Sequence, residues 1–217
     1  MRRRRVLHYP GLVISIRESV ATDREAVEEV RRASWRAAYS GIIEQADIER
    51  AIAGPSRLSH PASWRRTLVA VTDGDRAVVG YSSFGPERSV AGPATYYAAA
   101  SNGTAPPAGM QPSPAVTAPD APPLTPAGLA GEVGEVYALY VTPAWWSSGT
   151  GRSLMGAALT ALEADGYQRV VLWVLAANNR ARRFYERAGF TTDGESNILA
   201  GLGGVLEVRY ARPMAGA

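Results

Sequence analysis

The chain has 217 residues, of which 46% are hydrophobic, and it is long enough to bury one sizeable core, so we expect a single domain. Its 23 basic residues, all arginine, nearly balance 20 acidic ones once the four arginines at positions 2–5 are set aside, which argues against a nucleic-acid or membrane surface. The absence of cysteine excludes disulfides, a thiol nucleophile and thiolate metal sites.

The N-terminal residues 1–11 are predicted to be a disordered, arginine-rich tail, with a binding arm as the less favoured alternative. No signal peptide is expected, because His8, Pro10 and Gly11 interrupt the apolar stretch and no small-residue cleavage site follows. No run approaches the ~18 apolar residues that a membrane-spanning helix needs. We therefore expect a cytoplasmic protein without a membrane partner.

Hydrophobic periodicity in the first half of the chain predicts a strand, two helices and a hairpin. The sequence Thr22-Asp-Arg-Glu25 has the form of a capping box, which favours a helix start at that point. Asp73-Gly74-Asp75 separates two apolar runs and is typical of a hairpin turn. In chain order the predicted elements are a strand over 12–17, a helix over 22–41, a helix over 44–52, and strands over 67–72 and 77–84.

Residues 86–132 interrupt this order. They contain 10 of the 15 prolines, with Ala, Gly, Ser and Thr between them and almost no apolar periodicity. Such a composition buries too little apolar surface to offset the entropy cost of ordering, so the segment is predicted to be disordered. A tolerated surface insertion is the favoured interpretation, and the alternative is a lid or interaction segment anchored by Tyr96 and Tyr97.

The second half of the chain alternates strands and helices around two glycines. An apolar strand over 135–141 is followed by Gly149 and Gly151, where a helix begins that ends at Asp165-Gly166. The first amides of a helix are unpaired and carry partial positive charge, so this turn is a candidate anion cradle. The remaining elements are a buried strand over 170–175, a helix opened by Asn178 and capped by Gly189, and strands over 191–198 and 205–210.

Two of these blocks resemble the signature of the GNAT superfamily of N-acetyltransferases. The family's glycine loop has the form Arg/Gln-x-x-Gly-x-Gly/Ala, matched here at Gly149 and Gly151, although Trp146 stands where the family usually has Arg or Gln. The later helix of the family has the form Asn-x-x-Ala-x-x-Phe-Tyr-x-x-x-Gly-Phe, matched here at Asn178, Ala181, Phe184, Tyr185, Gly189 and Phe190. Both blocks stand in the family's order, and the resemblance covers most of the chain.

The resemblance implies a mixed α/β fold with a central, mostly antiparallel sheet of six to seven strands flanked by about four helices. A single N-acetyltransferase domain would span residues 12–217, interrupted by residues 86–132. The implied activity moves an acetyl group from acetyl-CoA, as co-substrate, to a primary amine of a small molecule or peptide by direct attack. The alternative function is a non-catalytic acyl-CoA-binding sensor or interaction module on the same fold.

The implied partners are the amine acceptor and, as is common among similar proteins, a second copy in a homodimer. No nucleic-acid partner is expected. The two histidines stand early in the chain without paired acidic ligands, so no metal site is expected either.

The resemblance also implies roles for particular residues. Tyr185 corresponds to the general acid that protonates the departing thiolate, with a core tyrosine as the competing interpretation. Glu135 is the candidate general base for the amine, and a solvated edge carboxylate is rated equal. Trp35 and Tyr39 would border the acceptor pocket, although aromatic residues at this spacing are as often part of a core. The residues expected to bind the co-substrate are Leu139, Tyr140, Val141, Ser147, Ser148, Gly149, Thr150, Gly151, Arg152 and Asn178.

Overall fold

The computed structural model describes residues 6–9, 12–54, 56, 65–88 and 133–214. Within these residues it contains eight β-strands in one sheet and four α-helices. The strands are β1 (Val6–Tyr9), β2 (Leu12–Glu18), β3 (Arg66–Thr72), β4 (Val78–Pro86), β5 (Val133–Val141), β6 (Arg169–Leu175), β7 (Thr191–Leu199) and β8 (Val205–Pro213). The helices are α1 (Arg24–Tyr39), α2 (Gln45–Ile52), α3 (Thr150–Ala164) and α4 (Asn179–Arg187).

The strands lie in the order β1-β2-β3-β4-β5-β6-β8-β7, and every neighbouring pair is antiparallel except β5 and β6. The predicted fold class, a mixed α/β fold with a mostly antiparallel sheet, is confirmed. The described sheet has one strand more than the expected six to seven, because Val6–Tyr9 pairs with β2. The prediction of a disordered tail over residues 1–11 is therefore wrong for these four residues.

Helices cover both faces of the sheet. Successive side chains of a strand point to opposite faces, so neighbouring residues of β3 contact different helices. Val69 packs with Val27 and Val30 of α1, whereas Leu68 belongs to the apolar cluster that contains α3. The α3 side chains in that cluster are Leu154, Met155, Ala158, Leu159 and Leu162. Full burial of a Leu or Met side chain stabilises the fold by roughly 1.5–3 kcal/mol. The α2 helix lies on the α1 side, and α4 packs on the α3 side.

The start of α1 differs from the predicted capping box. Asp23 closes a 3₁₀ turn over Ala21–Asp23 that precedes α1, because its carboxylate accepts the amide of Val20 at 2.8 Å and the guanidinium of Arg17 at 2.8 Å. The Arg17 hydrogen bond holds the pKa of the Asp23 carboxyl below its ordinary value. The side chain of Thr22 makes no hydrogen bond within the described residues. The helix α1 therefore begins at Arg24, after a turn that Asp23 closes, and the predicted capping box of Thr22 and Glu25 is not formed.

β5 and β6 separate soon after they meet. They pair over only three residues, at the start of each strand. Further along β5, Tyr137 has no partner on β4, which is a bulge that bends the strand. β5 then follows β4 to Val141, whereas β6 follows β8 to Leu175. The two halves of the sheet diverge, and the edges that face each other there have no strand between them.

Some predictions fall on residues outside the described ranges. They concern the arginines at positions 2–5 and most of the segment 86–132, including Tyr96 and Tyr97. Within the described part of the chain, no helix is both long and apolar enough to cross a membrane.

Candidate active site

A cleft of about 1540 Å³ opens where β5 and β6 diverge. It is lined by the second half of β5, the turn before α3, the first turns of α3, the end of β6, and α4. α1 borders it as well, through Trp35 and Tyr39. The predicted site residues that line the cleft are Trp35, Tyr39, Leu139, Tyr140, Val141, Ser147, Ser148, Gly149, Gly151, Arg152, Asn178 and Tyr185. Glu135 and Thr150 are not among its lining residues.

The turn before α3 has the conformation of an anion cradle. Gly149 caps the helix with a φ of +91°, in the left-handed region that glycine enters without strain. The amide of Ser153 donates to the carbonyl of Gly149 at 3.0 Å and begins the helical ladder. Among the described residues, the amides of Gly149, Gly151 and Arg152 have no acceptor. Three donors are therefore available at the positive end of the helix dipole.

Side-chain hydrogen bonds lock this turn from within. The hydroxyl of Ser148 donates to the carbonyl of Trp145 at 2.7 Å and accepts the amide of Thr150 at 3.3 Å. The Ser148 and Thr150 hydroxyls lie 2.7 Å apart, and Thr150 is fully buried. The expected contact between Thr150 and the co-substrate is therefore not supported, because its amide is already satisfied inside the turn.

Trp146 makes its own contacts at the position where the family usually has Arg or Gln. Its indole Nε1 donates to the carbonyl of Val141 at 2.7 Å, and the hydroxyl of Ser34 donates to the same oxygen at 3.0 Å. The guanidinium carbon of Arg180 lies 3.8 Å from the centre of the Trp146 ring, in cation–π contact. Trp146 thus ties the end of β5 to the glycine turn and holds a positive charge beside the cradle.

The open edge of β5 presents backbone groups to the cleft. The amide of Thr142 donates to the carbonyl of Val79 at 2.9 Å, so its backbone is directed toward β4. Backbone groups alternate in direction along a strand, so Leu139 and Val141 direct theirs toward the opposite, open edge. Such an edge can pair with an extended ligand as a further strand would.

The charge that lines the cleft is strongly one-sided. Among the described residues, the charged side chains that line the cleft are seven arginines and one glutamate, namely Arg31, Arg50, Arg88, Arg152, Arg180, Arg187, Arg212 and Glu207. Arg152 and Arg180 form no ion pair within the described residues, and both flank the amides at the start of α3. A cleft with this distribution of charge favours an anionic ligand.

Polar contacts position α4 against the sheet. The Oδ1 atom of Asn178 accepts the amide of Ala181 at 3.1 Å and so caps the helix, as the sequence predicts. The hydroxyl of Tyr210 on β8 accepts Nε of Arg182 at 3.0 Å and donates to Glu186 at 2.9 Å. These contacts hold both ends of the short helix, so the side chains between them have a defined place in the cleft.

Tyr185 projects from α4 into the cleft. Its ring packs edge-on against Phe184 and Phe190, with ring centres 5.3 and 6.2 Å away. Burial raises the pKa of the Tyr185 phenol well above its ordinary value, and nearby Tyr140 raises that pKa further. None of the described residues hydrogen-bonds the Tyr185 hydroxyl. The phenol therefore remains protonated and is available to donate to a group in the cleft.

Glu135 does not have the environment of a general base. Its side chain is only 1% exposed, and Arg88 Nε donates to both carboxylate oxygens at 3.0 Å. The backbone amide of Arg88 donates to the same carboxylate at 2.9 Å. The ion pair with Arg88 occupies this carboxylate, which also lies outside the cleft lining. The structure therefore does not support Glu135 as the base.

Glu207, which the sequence analysis passes over, has the contrasting environment. It is 5% exposed, it lines the cleft, and its hydrogen-bond partner is the neutral Nδ2 of Asn197 at 3.1 Å. Burial raises the pKa of the Glu207 carboxyl to about 7, against an ordinary value of 4.5. A signal for it was present in the sequence, because Glu207 is a carboxylate within an otherwise apolar start of a predicted strand.

The predicted acceptor-side aromatics lie together at the α1 end of the cleft. The rings of Trp35 and Tyr39 meet edge-on with centres 5.0 Å apart. The hydroxyls of Tyr39 and Tyr140 are 3.3 Å apart, and Tyr81 packs behind Tyr140 with a ring-centre distance of 5.7 Å. Trp35 also belongs to an apolar cluster with α2, so the core and pocket interpretations both hold for it.

The family model of the acetyltransferase (GNAT) family matches residues 25–190. The match spans more than half of the chain, so the protein belongs to this family. The predicted family and the predicted enzyme class, an acyltransferase, are thereby confirmed.

The chain is also similar to individual acetyltransferases. The chain is 48% identical over 55 residues to a mycothiol acetyltransferase from Beutenbergia cavernae, a match that spans 25% of this chain and only 18% of that protein. The fold is similar to that of the PaiA N-acetyltransferase from Thermoplasma acidophilum in complex with coenzyme A (TM-score 0.61, 18% identity, covering 92% of this chain and 98% of that one). It is also similar to the ribosomal-protein-S18-alanine N-acetyltransferase from Escherichia coli (TM-score 0.55, 15% identity, covering 94% and 96%).

Proposed function

We propose that this protein transfers an acetyl group from acetyl-CoA to a primary amine of a small molecule or peptide, by direct attack of the amine on the thioester. One observation carries the proposal: the divergence of β5 and β6 gathers unpaired helix amides, an open strand edge and a protonated phenol in one cleft. Acyl transfer from a thioester needs all three groups. The helix amides hold the anionic carrier, the strand edge polarises the carbonyl, and the phenol protonates the departing sulfur.

The residues at the start of α3 fit a diphosphate. The free amides of Gly149, Gly151 and Arg152 supply hydrogen-bond donors, and Arg180 supplies charge beside them. The space is open as well, because a Cβ atom added at Gly149 would meet no other atom within 4 Å. In this proposal, the turn from residue 147 to residue 152 holds the pyrophosphate of acetyl-CoA.

Two further groups suit the extended arm of acetyl-CoA. The open backbone of Leu139 and Val141 offers amides and a carbonyl in the spacing of a β-strand. The side-chain nitrogen of Asn178 has no acceptor within the described residues, and Asn178 lines the cleft. An amide from this edge of β5 is also our candidate for the donor that polarises the thioester carbonyl. The co-substrate itself supplies an acyl group already activated as a thioester.

Tyr185 is our candidate for the general acid. The raised pKa of its phenol keeps the proton in place until a thiolate leaves beside it. A positioned proton donor of this kind contributes typically 10²–10⁴-fold to the rate. The alternative role as a core tyrosine is less well supported, because none of the described residues hydrogen-bonds its hydroxyl and the side chain lines the cleft.

Acceptor-dependent release of thiol from acetyl-CoA tests this function directly. The acceptors would be alkylamines, amino acids, polyamines, aminoglycosides and peptides with a free N-terminus. We expect at least one class to raise thiol release above the hydrolysis background. Calorimetric titration with coenzyme A would be carried out on the same preparation. Coenzyme A binding without acceptor-dependent release across the whole panel would instead support a non-catalytic acyl-CoA-binding module.

A further inference from the structure

Glu207 occupies a defined position on the acceptor side of the cleft. On β8 it lies opposite Leu175 at the end of β6 and opposite Asn197 on β7, so these three side chains share one face of the sheet. Leu175 packs in the apolar cluster that contains α2, which identifies this face as the one covered by α1 and α2. Tyr185 packs on the opposite face, with α3. The two titratable groups therefore lie on either side of the opening between β5 and β6.

The Glu207 carboxylate has no cation of its own. Of the arginines that line the cleft, Arg31 is bound to Glu28 and Arg88 is bound to Glu135. Among the described residues, no arginine forms an ion pair with Glu207. A buried carboxylate held only by a neutral amide is costly to ionise, so its environment favours an incoming cation. Because it is the one carboxylate among the described residues that line the cleft, it is a specific site for a positively charged group.

The side chains around Glu207 indicate which kind of group would accompany the ligand's positive charge. Burial raises the pKa of the Tyr140 phenol and the nearby charge of Glu207 raises it further, and the Tyr140 hydroxyl lies 3.3 Å from that of Tyr39. Aromatic faces attract an ammonium group, and they also accommodate apolar carbon. The apolar side chains at this end of the cleft are Trp35, Ile43, Leu175, Leu199 and Leu202. One charged group on an apolar body fits this lining better than a polycation or a sugar.

We propose, on the basis of the acetyl-transfer function above, that Glu207 binds the acceptor's ammonium group and takes a proton from it, and that the acceptor is a primary amine carried on an apolar alkyl or arylalkyl body. The ammonium nitrogen gives one proton to a Glu207 oxygen, and its lone pair then forms the C–N bond while the C–S bond breaks. Tyr185 gives its proton to the thiolate sulfur, the second nitrogen proton returns to the Tyr185 oxygen, and Glu207 releases its proton to water.

The charges around Glu207 suit this role. Arg88 and the Asn197 hydrogen bond lower its pKa, whereas burial, the largest effect, and Glu135 raise it. The resulting pKa of about 7 lies near neutral pH, where a base is most effective because it is substantially ionised and still a good proton acceptor. An alkylamine with a pKa of about 10.4 needs such a base, since at pH 7 only about one molecule in a few thousand is neutral. An α-amine of pKa about 7.7 is neutral in roughly one molecule in six and needs far less help.

The test compares Glu207→Gln with the wild-type protein, using hexylamine and 2-phenylethylamine as apolar amines and alaninamide as the α-amine. We expect kcat/KM for the apolar amines to fall about 10²-fold or more at pH 7, and the deficit to narrow as the pH rises toward the pKa of the amine. The fall in kcat/KM of Glu207→Gln relative to wild type should be much smaller for alaninamide. Coenzyme A affinity should stay within about twofold of wild type, which shows that the variant is folded. Glu195→Gln, on an exposed carboxylate of β7, is the matched control and should behave as wild type.

Three results would overturn this inference while leaving the proposed function intact. Equal loss for alkylamines and alaninamide at every pH would show that Glu207 does not act as a proton acceptor. Unchanged activity of Glu207→Gln would remove it from the site altogether. A wild-type protein that acetylates polyamines or aminoglycosides but neither apolar amine would contradict the substrate class while leaving the proposed function intact. By contrast, a wild-type protein that binds coenzyme A and acetylates no amine would refute the proposed function, and with it this inference.

Discussion

Replacement of Glu207 by Gln should make the protein more resistant to unfolding at high pH, and the size of the effect follows from the environment of this carboxyl. Its folded-state pKa is about 7, against 4.5 in an exposed chain. A pKa difference of about 2.5 corresponds to about 3 kcal/mol, because each unit is worth about 1.4 kcal/mol. Gln keeps the shape and the hydrogen bond to Asn197 and has no proton to lose.

The direction of the effect depends on which state binds the proton. Below pH 4.5 the carboxyl is protonated in both states, and ionisation contributes nothing. Between pH 4.5 and 7 the unfolded chain loses the proton first, so the wild-type free energy of unfolding falls as the pH rises. Above pH 7 the folded carboxyl is ionised too, and the full penalty is present. The stability of Glu207→Gln relative to wild type should therefore increase by about 2–3 kcal/mol between pH 5 and pH 8.5.

Urea unfolding, followed by the fluorescence of the five tryptophans, measures this difference at each pH. Other groups titrate equally in both proteins, so the pairwise difference isolates Glu207. Glu195→Gln, whose carboxylate is exposed, should show a constant difference near zero across the same range. A constant difference for Glu207→Gln would refute the reasoning, because it would mean that the carboxyl titrates alike in the folded and unfolded chain.

Three further variants test other parts of the site. Tyr185→Phe should lower kcat by 10²-fold or more with less than a twofold change in coenzyme A affinity by calorimetry, and an unchanged kcat would remove the general-acid assignment. Gly149→Glu should abolish calorimetric binding of coenzyme A, whereas Gly166→Glu, at the same φ of +91° and with equally open space, should bind normally; equal affinities would contradict the cradle. Arg88→Met should lower the free energy of unfolding, measured in urea, by about 3–5 kcal/mol, because it leaves Glu135 buried and unpaired. The double variant with Glu135→Leu should recover most of this loss. A loss below about 1 kcal/mol for Arg88→Met would contradict the burial argument.

The parts of the site that the sequence predicts are those built from local chain geometry. Gly149 marks a left-handed helix cap, and Asn178 caps the next helix, because each role depends on residues only a few positions away. Tyr185 is identified through the resemblance of residues 178–190 to the family's helix motif, which is also a local pattern. Local patterns of this kind involve residues within a single turn of the chain, so they do not depend on how distant segments pair.

The parts that the sequence does not predict depend on pairing between distant strands. The bulge at Tyr137, just beyond the last residue of β5 that pairs with β6, has no signature in its neighbours, because it arises from the register with β4. The contrast between the environments of Glu135 and Glu207 has the same origin. Arg88, which pairs with Glu135, lies two residues beyond the end of β4, whereas Glu207 on β8 lines the cleft where β5 and β6 diverge. Both are buried carboxylates on strands, and only the tertiary partner distinguishes a structural ion pair from a reactive group.

The same separation of strands accounts for how one cleft can serve both ends of the reaction. Burial raises the pKa of Tyr185 on one face of the sheet and of Glu207 on the other. A phenol kept protonated suits the leaving sulfur, and a carboxylate near neutrality suits the entering amine, so the two groups have opposite tasks although the same physical effect tunes them. An intact β5–β6 pairing would close the sheet between them. In the proposed mechanism, the divergence of β5 from β6 is therefore the feature on which the chemistry depends, because it joins the proposed acid on the α3 and α4 side to the proposed base on the α1 and α2 side.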